Sequence, residues 1–248
     1  MRGGRVGWLS QLVAWVLEPL LLVLMRRRWA GLDHIPKAGG AIVAVNHNSY
    51  ADPLALMHFI YRAGRWPHFL GKAELFRKPV FGKAILALGQ IPVHRGTANA
   101  ADALRDARAA IERGECVVIY PEGTVTRDPD YWLMAGRTGA VRLALETGAP
   151  VIPVALWGAQ EILGRDGRVR LLPRRTVSVV AGPPVDLSPY AGEPQTLESL
   201  RQATDEVMRA IRRLLADIRG EQPPAAFFDP MAAAGIGEPA ADPDRRPV

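Results

Sequence analysis

With 248 residues, 48% of them apolar, the chain is long enough to bury one sizeable core, and its formal charge of +6 suits anionic partners. The single cysteine, Cys116, excludes an intrachain disulfide and any thiolate-based zinc site. Nucleic acid is not an expected partner, because the basic residues flank apolar segments and no reader motif is present.

Residues 8–25 are mostly apolar, interrupted by Gln11, Glu18 and Pro19, and Arg26, Arg27 and Arg28 follow at once. A spanning helix needs roughly 20 predominantly apolar residues, so this stretch reads better as a helix lying in a membrane interface. Arg2, Arg5 and the arginine triplet would then meet anionic headgroups, with Trp8 and Trp15 at interfacial depth. A secretory signal has the same outline, but no small-residue cleavage site follows. The expectation is an interfacial helix over residues 1–30 on the cytoplasmic face of the cell membrane, ahead of a catalytic domain over 31–219.

Residues 31–40 read as a linker. Ala41 to Val45 is a short apolar run with a buried-strand pattern, broken by Asn46, His47, Asn48 and Ser49 before Asp52-Pro53 opens a helix-like segment. His47 is thereby placed at a strand end and Asp52 at a helix start. An imidazole beside a carboxylate makes a usable base, since the anion fixes the tautomer and stabilises the imidazolium. A surface histidine next to a helix-capping aspartate has the same spacing.

Further along, the pattern predicts strands over 67–71, 91–93, 116–120 and 151–156. Pro153 argues for an edge position in the last of these. Strand candidates over 169–172 and 176–180 read as a hairpin. Helices are expected over 79–88, 98–113, 132–147 and 197–218, and a disordered tail over 220–248. In and just before the first of these helices, Phe76, Phe81, Ile85 and Leu88 fit either helical core or the wall of an acyl-chain groove. Strands alternating with helices give an α/β class: a mixed, mostly parallel sheet flanked by helices. The polar breaks after Val45, Val93 and Tyr120 fall at strand carboxyl ends, where open α/β sheets collect ligands, so His47, Asp52, Arg95 and Glu122 are candidates for one cleft.

The motifs now point to a family. NHNSYAD, from Asn46 to Asp52, resembles the His, four residues, Asp motif of the glycerolipid acyltransferases that include 1-acylglycerol-3-phosphate acyltransferase. GKAELFRKPVFGKAILALGQIPVHR, ending at Arg95, is similar to that family's second block, YPEGT at Tyr120–Thr124 to its third, and VIPVAL at Val151–Leu156 to its fourth. Tyr120 stands where phenylalanine is commoner, and Thr126-Arg127 where a Ser-Arg pair is often found.

This resemblance implies direct acyl transfer, with His47 as base and Asp52 as its partner, and with no metal or cofactor beyond an acyl-CoA or acyl carrier protein thioester as co-substrate. It implies that Arg95 contacts the acceptor phosphate and that Glu122, Gly123 and Thr124 belong to an acceptor-binding block. Lys72, Asn46 and Arg127 are weaker substrate-binding candidates, and Glu122 also fits a brace within its turn. The expected partners are an anionic membrane surface, a lysophospholipid acceptor and the acyl donor, and the expected product is phosphatidic acid. Another lysophospholipid or glycolipid acceptor is the nearest alternative. A non-catalytic lipid-binding protein of the same fold is the alternative from another class.

Overall fold

A computed structural model describes residues 7–93, 100–192 and 195–233, without the side chains of 100–103, 231 and 232. Arg2, Arg5, His94, Arg95 and the tail beyond residue 233 therefore lie outside the described residues.

In chain order the elements are α1 (Trp8–Leu24), β1 (Met25–Ala30), β2 (Ala41–Val45), α2 (Asp52–Arg62), β3 (Pro67–Lys72), α3 (Ala73–Phe76), α4 (Phe81–Ala87) and β4 (Ile91–Val93). There follow α5 (Ala100–Glu112), β5 (Cys116–Ile119), α6 (Gly139–Thr147), β6 (Val151–Trp157), β7 (Arg175–Ala181), α7 (Leu197–Arg219) and the short α8 (Pro230–Ala233). The strands form one seven-stranded sheet in the order β1-β7-β6-β2-β5-β3-β4. Every neighbouring pair is parallel except β6 with β7. This is the mixed, mostly parallel α/β sheet that the alternation of patterns predicts.

Both faces of the sheet are covered, and the central strands show it residue by residue. Ile42 and Ala44 of β2 face one apolar cluster with α5, α6 and α7, whereas Val43 and Val45 face the other with α2 and Leu21 of α1. All five residues of β2 are buried, which is why it reads as a continuous apolar run rather than an alternating one. Full burial of each such valine or isoleucine contributes roughly 1.5–3 kcal/mol.

Several elements differ from expectation, each for a local reason. Met25–Ala30, expected as the basic end of a helical appendage, is an edge strand parallel to β7, with Met25 opposite Arg175 and Ala30 opposite Val180. Its arginines are exposed on both sides of the strand, so charge hides the strand pattern. The anticipated hairpin of 169–172 with 176–180 does not form: β7 pairs antiparallel with β6, and Val169 makes only an isolated bridge to Leu163. Pro153 sits in an interior strand, between β2 and β7, not at an edge. Its carbonyl accepts from Gly182 N at 2.9 Å, so its N-side faces β7 just beyond the first paired residue, Val154, where no ladder donor is needed.

The helix expected from Trp132 begins only at Gly139. Trp132, Leu133 and Met134 are buried in extended chain, and Phe228 N donates to Leu133 O at 3.0 Å. The tail is correspondingly ordered as far as residue 233. Phe227 packs against the core and lies under the Arg212 guanidinium, 4.6 Å from its ring centroid. Phe227→Ala should cost about 1–2 kcal/mol in urea denaturation, from lost burial and cation–π contact. An unchanged midpoint would mean that the tail does not anchor there.

Candidate functional site

The parallel strands β2, β3, β4 and β5 all end at one side of the sheet, and the site is assembled there. Asn46 follows β2 directly and is 1% exposed; its side-chain Nδ2 donates to Leu156 O at 2.9 Å and its Oδ1 accepts from Leu156 N at 2.8 Å. This two-way clamp to β6 fixes the chain as it leaves the sheet. Asn46 is thus tied to backbone, with its amide committed on both sides.

Next in sequence, His47 presents a ring whose Nδ1 lies 2.9 Å from Asp52 Oδ2. The same oxygen accepts from Asn48 N at 2.7 Å and Ser49 N at 2.8 Å, so residues 47–49 wrap around one carboxylate. Asp52 is fully buried at the first residue of α2, with Ala51 in the capping position, where the helix dipole favours a negative charge. Asp52 Oδ2 thus gathers two backbone N–H groups and faces His47 Nδ1, and toward a carboxylate acceptor the proton of a neutral imidazole sits on Nδ1. The other nitrogen, Nε2, has no hydrogen-bond partner among the described residues, and the side chain is 12% exposed. The ring is a base with its free lone pair turned away from its anion.

Tyr120 lies flat on this imidazole, with centroids 4.1 Å apart and 23° between planes. Its hydroxyl is buried without a partner, and burial, together with the nearby Asp52 charge, raises its pKa well above 10, so it remains a neutral phenol. The YPEGT segment supplies the second support. Glu122, 4% exposed, accepts from His47 N at 3.0 Å through Oε1 and from Met134 N at 2.9 Å through Oε2. Thr126 N donates to His47 O at 2.7 Å, so the backbone of His47 is held on both sides by the same loop. Burial pushes the Glu122 carboxyl up to about 8, against the pull of the Met134 and His47 N–H groups.

Gly123 has φ 75°, and a methyl group there would lie 2.8 Å from Arg137 Nε. The left-handed backbone favours glycine, and the Arg137 side chain packs into the space a larger residue would take. Lys72 closes β3 at the same end of the sheet, exposed, while Thr124 is half-buried and Arg127 exposed. None of these three side chains hydrogen-bonds to His47 among the described residues. Arg95 follows β4 by two residues in the sequence and lies outside the described residues.

The groups that sequence reasoning leaves out are Tyr120 as a stacking surface, the Asn48 and Ser49 N–H groups, and Met134 as a partner of Glu122. Only the aromatic at position 120 carries a sequence signal. Of the Phe76, Phe81, Ile85 and Leu88 set none is fully buried: Phe76, Ile85 and Leu88 are half-buried and Phe81 is 52% exposed.

Comparison with known proteins places the chain beside acyltransferases. The chain is 30% identical over 159 residues to a chloroplastic 1-acyl-sn-glycerol-3-phosphate acyltransferase of Arabidopsis thaliana, covering 62% of this chain and 42% of that one. It is 32% identical over 128 residues to a 1-acyl-sn-glycerol-3-phosphate acyltransferase of Borreliella burgdorferi, covering 51% and 49%. The chain thus spans half or less of the length of these curated relatives. The crystal structure of PlsC, a 1-acyl-sn-glycerophosphate acyltransferase from Thermotoga maritima, superposes with a TM-score of 0.66 at 25% identity, over 87% of this chain and 81% of that one. The acyltransferase family matches residues 26–157, just over half of the chain and the whole span from β1 through the His47, Asp52 and Glu122 loops to the end of β6. On that match the chain belongs to the acyltransferase family.

Proposed function

We propose that this protein transfers a fatty acyl group from a thioester, acyl-CoA or acyl carrier protein, to the free hydroxyl of 1-acylglycerol-3-phosphate, giving phosphatidic acid at the cytoplasmic face of the membrane. One observation carries the proposal: a histidine whose Nδ1 is bound by a buried carboxylate while Nε2 stays free at the carboxyl ends of the parallel strands. The relatives' names supply the acceptor.

In this reading His47 Nε2 takes the proton from the acceptor hydroxyl as its oxygen attacks the thioester carbonyl. Asp52 stabilises the imidazolium, the carbon–sulfur bond breaks as the tetrahedral centre collapses, and the proton passes to the departing thiolate. No acyl-enzyme is required. The chain's one thiol, Cys116, is fully buried in β5 and raised to about 11 by burial, which makes it a poor nucleophile.

The interfacial part of the proposal is supported by α1. Trp8 (77%), Trp15 (77%), Val16 (64%) and Val23 (71%) are exposed along a helix that buries only Ser10, Ala14 and Leu21. No helix among the described residues is long and apolar enough to cross a membrane. An apolar face turned outward on a non-spanning helix fits a position in the headgroup region.

The test is product formation by the purified full chain from labelled acyl-CoA and a panel of lysolipids. Labelled phosphatidic acid should form in preference to any other diacyl product; equal acylation of the whole panel, or of none of it, would refute the proposal. Arg95→Ala should raise KM for lysophosphatidic acid about 10- to 100-fold with little change in kcat, the size of a lost charge-assisted phosphate contact. An unchanged KM would remove Arg95 from the phosphate site.

A further inference from the structure

Residues 165–174, between β6 and β7, are exposed without a break, and they include two leucines. Leu172 is 85% exposed, Leu171 43% and Val169 62%. Apolar side chains gathered at a loop tip are costly in water and call for a partner. The surrounding charge says which one: from Arg165 to Arg175 the chain carries five arginines against one aspartate, and with Arg170 paired to Asp166 and Arg175 to Glu161 the segment keeps a positive excess.

The position of this loop is as informative as its composition. It connects the end of β6 to the start of β7, and β6 is parallel to β2, so the loop emerges at the sheet end that holds His47. Ser49 Oγ, two residues from His47, donates to Leu163 O at 2.7 Å and ties the loop's base to the catalytic turn. On the other side, Arg174 Nη2 donates to Leu22 O and, at 2.9 Å, to Met25 O, closing the carboxyl end of α1. The exposed leucines therefore continue the outward apolar face of α1, where Val23 is 71% exposed, toward the site.

We infer that the 165–174 loop is a second membrane-inserting element: Leu171 and Leu172 enter the headgroup–acyl boundary of an anionic leaflet while Arg168, 80% exposed beside them, meets its phosphates. This rests on the proposed action on a membrane lipid and extends it. Alone, α1 would leave the orientation of the domain about its axis undefined. A second contact at the catalytic end fixes the site over the leaflet, so that an acceptor reaches His47 without leaving the lipid phase.

Two measurements test the loop separately from the reaction. Cys116 is fully buried, so Leu172→Cys introduces one reactive surface thiol for an environment-sensitive fluorophore such as NBD. On addition of phosphatidylcholine–phosphatidylglycerol vesicles its emission should shift to the blue and be quenched by lipids spin-labelled shallowly in the acyl chain. In sedimentation with the same vesicles, the Leu171→Glu/Leu172→Glu protein should partition at least about tenfold less than the unmodified chain, with unchanged circular dichroism. Its turnover of a water-soluble short-chain lysophosphatidic acid should stay the same. Vesicle binding with no fluorophore shift, or undiminished partition of the double variant, would overturn the inference and leave the proposed reaction standing. Absence of vesicle binding by the unmodified chain would also overturn it. Loss of short-chain turnover in the unmodified chain would instead strike the proposed reaction.

Discussion

His47→Ala should lower kcat/KM for acyl transfer by about 10²- to 10⁴-fold and leave the fold in place, measured as thiol release from acyl-CoA with lysophosphatidic acid present. Both halves of that expectation come from the same hydrogen bonds. The ring keeps a lone pair on Nε2 for the acceptor's proton, since Nδ1 faces Asp52. Removing the ring takes one of three partners from Asp52 Oδ2, which keeps the N–H groups of Asn48 and Ser49. The stability change should therefore stay within about 1 kcal/mol. Asp52→Ala makes the contrast: it leaves both N–H groups buried and unpaired, at about 1–3 kcal/mol for each. It should lose stability as well as rate. Wild-type turnover by a folded His47→Ala protein would eliminate the proposed base.

What was legible in the sequence follows from where burial is two-sided. β2 and β5 are covered on both faces, so Ala41–Val45 and Cys116–Ile119 stand out as apolar runs, and the polar residues that end them mark the site. His47 and Asp52 were readable because their partnership is local, five residues apart across one turn. Elements whose environment comes from distant chain were not. β1 is a strand because β7 lies beside it, yet its arginines give it the look of a charged junction. Trp132 to Met134 have the apolarity of a helix start but are pulled into extended form by Glu122 and Phe228, which reach them from 12 residues upstream and from the tail. The pairing of β7 with β6 across the arginine-rich loop is hidden because the apolar residues among Val169 to Leu172 imitate a strand while lying in solvent.

Glu122 shows most clearly how a side chain that is plain in the motif acquires its meaning only in the fold, and it yields the second large effect, on stability against pH. In the unfolded chain its carboxyl titrates near 4.5, and in the folded chain burial raises it to about 8. Between those values the folded state holds a proton that the unfolded state has released, so stability falls as pH rises through the window, by on the order of 5 kcal/mol in all. Below about 4.5 this contribution is fully present; above about 8 it is gone. Glu122→Gln cannot titrate, and its amide offers one acceptor where the carboxyl offers two. The amide nitrogen must then face either His47 N or Met134 N, costing about 1–3 kcal/mol. In paired urea titrations the wild type should thus be the more stable protein at pH 5, and the difference should close or invert by pH 8.5. Because every other titrating group is common to the two proteins, the difference curve isolates this carboxyl. Parallel stability curves across that range would mean that Glu122 is charged throughout. Its two N–H bonds would then outweigh its burial, and the anchor behind His47 would be a permanent anion.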